Sequence, residues 1–156
     1  LETPPPATAT LFWVALALQG AALALGALVN LQFVTFLIIY GLVMMAYSYD
    51  GIRLKKYPIV SWLVISVLQG GITYAFSYIT LGNLPFSTLL APQTLLGAFI
   101  ATCNILAVYP LTQVYQHEED ARRGDLTISR LLGVRGTFLN AVVWLGASAV
   151  GFFVFY

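Results

Sequence analysis

The sequence predicts an all-α fold, a polytopic membrane bundle of about five transmembrane helices. Three observations carry that reading. Sixty per cent of the 156 residues are hydrophobic and 8% are charged, whereas soluble domains carry roughly 25% charge. The apolar residues gather in five long runs, each near the roughly 20 residues that cross a hydrocarbon core. Within the runs they do not alternate with polar ones, as the strands of a membrane barrel require. Helices remain, because backbone polar groups in lipid must pair within their own segment. A soluble chain of this size could not hide so much apolar surface. That excludes an ordinary soluble enzyme, a nucleic-acid-binding domain and a disordered chain. The single cysteine, Cys103, excludes an internal disulfide and a cysteine metal cluster.

The first helix is expected over residues 9–28, after Pro4, Pro5 and Pro6, which suit a helix start better than a helix interior. Residues 1–6 carry no basic stretch of the signal-peptide kind. Small residues between Gly20 and Ala27 predict close helix contact. A tight turn at residues 29–32 leads to the second helix, 31–47. The third, 59–79, follows Pro58. A loop holding Gly82, Asn83, Pro85 and Pro92 precedes the fourth, 93–115, in which Pro110 predicts a kink. The fifth is expected over 137–156. Residues 1–156 read as a single transmembrane domain with no internal repeat.

The charges are clustered. Asp50, Arg53, Lys55 and Lys56 lie between the second and third helices. Glu118, Glu119, Asp120, Arg122, Arg123, Asp125, Arg130 and Arg135 lie between the fourth and fifth. Two helices separate the clusters, so both face the same side of the membrane. All seven Lys and Arg are there, which predicts a cytoplasmic face in the cytoplasmic membrane. The turns near Asn30 and Asn83 are uncharged.

An acidic run such as Glu118, Glu119 and Asp120 suits Mg2+, a hard cation that takes oxygen ligands. A nearby basic cluster suits phosphate oxygens. The simpler reading is two solvated loops that fix topology. Asn104, Thr112, Gln116 and Asp120 recur at multiples of four, so they are expected to share a helix face. Ser66, Gln69, Thr73 and Ser77 form a similar stripe on the third helix. The two stripes either line a cavity or hydrogen-bond helices together, at about 0.6 kcal/mol each. His117, the one histidine, reads as a satisfied or solvated interfacial residue, and Cys103 as a small buried packer. Trp13, Tyr57, Trp62, Trp144 and Tyr156 are candidate interfacial anchors.

The stretch Asp120-Ala-Arg-Arg-Gly124-Asp-Leu-Thr127, followed by Leu132-Gly133, resembles the second aspartate-rich motif of the UbiA family of intramembrane prenyltransferases. Asp120, Gly124, Thr127 and Gly133 fit that motif without a gap. Residues 47–55, Tyr-Ser-Tyr-Asp-Gly-Ile-Arg-Leu-Lys, resemble the family's tyrosine-and-basic loop. Two departures stand out. Gln116 occupies the place of the motif's first aspartate, and the family's first motif, of the form N-D-x-x-D, is absent. The chain is therefore expected to be a fragment of a larger UbiA-like bundle, resembling helices three to seven of about nine.

The resemblance implies a magnesium-dependent transferase. It would move a prenyl group from a prenyl diphosphate to an aromatic or other lipophilic acceptor within the bilayer. By that resemblance Asp120 and Tyr47 are the catalytic candidates, and Asp120 with Glu119 the metal ligands. Arg53, Lys55, Asn104, Thr112, Gln116 and Arg122 are the substrate-binding candidates, and Mg2+ the cofactor. No nucleic acid is expected, and the chain alone is expected to be incomplete and inactive. The alternative is a non-catalytic membrane subunit or carrier whose charged loops dock a partner.

Overall fold

The computed structural model describes residues 9–155 except Asp50 and Arg53, with the backbone alone of Lys55 and Arg123. Among these residues the chain is helical and has no strand. Five helical stretches are long and apolar enough to cross a membrane, which is the all-α membrane bundle that composition predicts.

Helices α1 (Ala9–Ala27) and α2 (Leu31–Ser48) form a peripheral hairpin. Asn30 closes it because its amide serves two backbones at once. Its Oδ1 accepts from Phe33 N at 2.9 Å and caps α2, and its Nδ2 donates to the Thr80 carbonyl at 3.2 Å. The chain buries only Gly26 of α1 and no residue of α2. Of the small residues in α1, Gly26 makes the close contact: a Cβ there would lie 2.8 Å from Leu37. Gly20 has open space.

The third span comprises α3 (Pro58–Ser66), a π-helical turn (Val67–Ile72) and α4 (Thr73–Leu81). The π turn carries Gly70 and Gly71. A Cβ on Gly70 would lie 2.7 Å from both the Ala101 carbonyl oxygen and Thr102 Cα. Only glycine permits that approach of two backbones. The π turn also ends the stripe expected on this span, because it shifts the register of everything after it. Ser66 is fully buried, whereas Gln69 and Ser77 are exposed.

After a 3-10 turn (Phe86–Leu90), α5 runs from Pro92 to Gln113 and continues through Pro110. A proline lacks the N–H that would pair with the carbonyl four residues back, here Leu106. That carbonyl instead accepts from Trp62 Nε1 and from Asn140 Nδ2, each at 3.0 Å. One freed acceptor thus ties α3, α5 and the last helix together, as an apolar surrounding demands. Trp62 also meets Trp144 edge-on at 6.3 Å, so this pair packs within the bundle.

A 3-10 turn (Val114–Gln116) leads into the short α6 (His117–Arg123), and α7 spans Ile128–Phe155. The last helix therefore begins well before residue 137, and Arg130 and Arg135 are helical. Gly133 splits α7, with φ 67° and ψ 170°, a conformation that an L side chain resists. The core lies among the third span, α5 and α7, around Ile65, Leu68, Ile79, Cys103, Leu106, Ala107 and Ala141.

Candidate active site

The turn after α6 explains the motif's spacing. Gly124 is left-handed, with φ 71° and ψ 13°. Its N–H donates to Ala121 O at 3.2 Å, and the Asp125 N–H donates to Asp120 O at 2.9 Å. This paired closure of a helix C-terminus requires a residue tolerant of positive φ. The reversal carries Thr127 back over the helix, where its Oγ1 donates to Asp120 Oδ2 at 3.3 Å. The Arg130 guanidinium donates to the Asp125 carbonyl and braces the same turn. Asp120 is thus a half-buried carboxylate on a fixed turn.

Tyr47, near the end of α2, points to α5. Its hydroxyl lies 2.8 Å from the Tyr109 hydroxyl. The Ser61 hydroxyl stands beside Tyr109, and the Asp120 carboxylate is close enough to act on it electrostatically. Tyr47 bonds Tyr109, and Asp120, 73 positions from Tyr47 by number, lies in the same neighbourhood. Sequence reading missed Tyr109. No local spacing announces it, because its partner lies on another helix, 62 positions away.

A third cluster links α5, α6 and α7. His117 Nε2 lies 2.7 Å from Ser129 Oγ, which lies 3.1 Å from Thr137 Oγ1. Gln113 Oε1 accepts from Ser129 N at 3.4 Å. Ser129 and Thr137 are completely buried. His117 is accordingly a satisfied histidine.

The other candidates do not converge on Asp120. Asn104 sits 16 residues before it, about 24 Å along a helix. It donates to its own Ile100 carbonyl and lines a cavity of about 330 Å³ with Tyr74, Phe152 and Phe155. Thr112 is exposed and bonded to its own Tyr109 carbonyl. Gln116 is exposed and donates to the Tyr115 hydroxyl at 3.0 Å. The expected common face fails because each step of four overshoots the helical turn by about 40°, and because residues 114–116 are 3-10. Arg122 faces Glu118 at 4.0 Å, both largely in solvent. Glu119 is half-buried beside Asp120. Arg53 and the Lys55 side chain lie outside the described residues; Lys56 Nζ stands 5.6 Å over the Tyr57 ring.

Among the described residues, no three His, Cys, Asp or Glu side chains gather as a metal cage. Mg2+ asks for less: one or two carboxylates, with waters and phosphate oxygens completing the shell. Asp120 can supply one such carboxylate; Glu119, its neighbour on α6, leaves the helix about 100° around from it.

Fold and site define an integral membrane helix bundle with a carboxylate, a tyrosine pair and the charged loops at one end. The family model for the UbiA prenyltransferase family matches residues 5–156, and the chain belongs to that family. Its activity at the family level is intramembrane prenyl transfer. No curated protein and no solved structure matches the chain.

Proposed function

We propose that this chain carries the second-motif part of a prenyltransferase site, acting on a prenyl diphosphate and a lipophilic acceptor at the cytoplasmic face. The observation that supports it most is the Gly124 turn, which holds Asp120 against Thr127 beside the Tyr47–Tyr109 pair. The diphosphate head lies at the charged end and the prenyl tail along the apolar spans. Asp120 would hold a magnesium ion, which when bound neutralises charge on the departing diphosphate. The Tyr47 hydroxyl, Arg53 and Lys55 donate hydrogen bonds to diphosphate oxygens. Thr127 keeps Asp120 turned toward them. The allylic C–O bond breaks with its electrons leaving on diphosphate. A nucleophilic atom of the acceptor then forms the new bond to the allylic carbon, and the proton that atom loses leaves with the released diphosphate. The apolar helices exclude water that would otherwise intercept the cation.

In the full-length protein, Asp120→Ala is expected to lower magnesium-dependent prenyl transfer by about 100-fold or more. Normal transfer by a folded Asp120→Ala protein contradicts the role. A second reading, a subunit or carrier, draws support from Gln116 at the place of an aspartate. It predicts a co-purifying partner and no binding of prenyl diphosphate.

A further inference from the structure

The polar cluster behind the Asp120 turn is a directed chain, and its direction follows from counting protons. Thr137 Oγ1 has one hydrogen. It lies 2.9 Å from the Gly133 carbonyl and 3.4 Å from the Ser129 carbonyl, and a carbonyl can only accept. With the Thr137 hydrogen assigned to the nearer carbonyl, Gly133 at 2.9 Å, its oxygen is left to accept from Ser129 Oγ at 3.1 Å. That commits the Ser129 hydrogen, so Ser129 Oγ accepts from His117 Nε2–H. The chain runs from the His117 ring through two fully buried hydroxyls to the carbonyl of the glycine that splits α7. Gln113 adds a bond to the Ser129 backbone N–H from the end of α5.

These four side chains bracket the motif turn. Gln113 and His117 precede Asp120, and Ser129 and Thr137 follow Thr127. We infer that His117 is a positioning residue. Its Nε2–H locks the start of α7 to α6, and so fixes the turn that holds Asp120 against Thr127. The kinetic part of this inference rests on the prenyltransferase reading; the structural part does not. A buried hydroxyl chain also specifies one arrangement, because losing its first donor leaves Ser129 Oγ, fully buried, with one hydrogen bond fewer.

The experiment uses the full-length protein and three variants. His117→Leu removes the donor. His117→Gln offers a side-chain N–H in its place. Ser129→Ala breaks the chain one step further with little change in volume, and serves if His117→Leu fails to fold. Two readouts separate the ideas. Amide exchange at Asp125, whose N–H bonds Asp120 O, is expected to quicken about tenfold or more in His117→Leu and Ser129→Ala and to stay near wild type in His117→Gln. Transfer is expected to lose about 10–100-fold in kcat, with KM for the lipophilic acceptor unchanged and His117→Gln restoring most of the rate. Unchanged exchange in both chain-breaking variants overturns the lock. Exchange as fast in His117→Gln as in His117→Leu also overturns it, since packing of the ring would then matter and not its N–H. Quickened exchange with undiminished transfer overturns the positioning role. Quickened exchange in a protein whose wild type transfers no prenyl group sustains the lock and removes the prenyltransferase reading instead.

Discussion

The two ends of this bundle are fastened by different chemistry. At the uncharged end, side-chain amides serve the backbone. Asn30 caps α2 and reaches the Thr80 carbonyl, and Gln32 Nε2 donates to the Leu84 carbonyl at 2.9 Å. At the charged end, side chains bond one another: Tyr47 with Tyr109, Thr127 with Asp120, and His117 with Ser129 and Thr137. The first kind of bond ties one backbone segment to another. The second fixes the directions of reactive groups relative to each other, which a turn alone does not need. Polar side chains within spans are uncommon and often functional, and those at the motif end bond one another.

Changes at the two ends should therefore separate stability from activity, and a change between the ends should not. Gly70→Leu is expected to have the largest effect, because its side chain meets the backbone of Ala101 and Thr102. It should destabilise by about 3 kcal/mol, seen as a lowered unfolding temperature in detergent and a parallel loss of transfer. A neutral result would mean that α5 and the π turn part freely. Asn30→Ala comes next, at about 1–2 kcal/mol of stability, with transfer per folded molecule unchanged. Lost transfer there would break the comparison by putting the uncharged end in the site. Tyr109→Phe should leave unfolding nearly unmoved and slow transfer about fivefold, about 1 kcal/mol. Added to Tyr47→Phe it should cost nothing more. Equal losses in both backgrounds would show that the two hydroxyls act apart. Arg122→Ala should change stability by less than about 0.5 kcal/mol, because Arg122 and Glu118 side chains are 64% and 93% exposed. A larger loss would place that pair among the structural bonds of the charged end.

The spans were legible because composition alone demands helices in lipid. The motif was legible through its resemblance to the UbiA pattern, and the structure gives its spacing a reason: Gly124 and Gly133 take positive φ. What stayed hidden depends on register and on distance along the chain. The four-residue rule groups Asn104 with Asp120, although drift around the helix and the 3-10 turn at residues 114–116 carry them apart. A π turn does the same to Ser66, Gln69 and Ser77. Pro110 announced a kink. Its freed Leu106 carbonyl became a junction, and its partners Trp62 and Asn140 could not be paired by spacing. Tyr109 escaped because its partner, Tyr47, is 62 positions away. The early start of α7 escaped because Arg130 and Arg135 read as loop charges.

The measurement closest to the central claim is binding of a non-reactive prenyl diphosphate analogue to the full-length protein, with and without Mg2+, in wild type, Asp120→Ala and Asn30→Ala. The account predicts magnesium-dependent binding in wild type, its loss in Asp120→Ala, and wild-type affinity in Asn30→Ala. Equal affinity in wild type and a folded Asp120→Ala protein would contradict it.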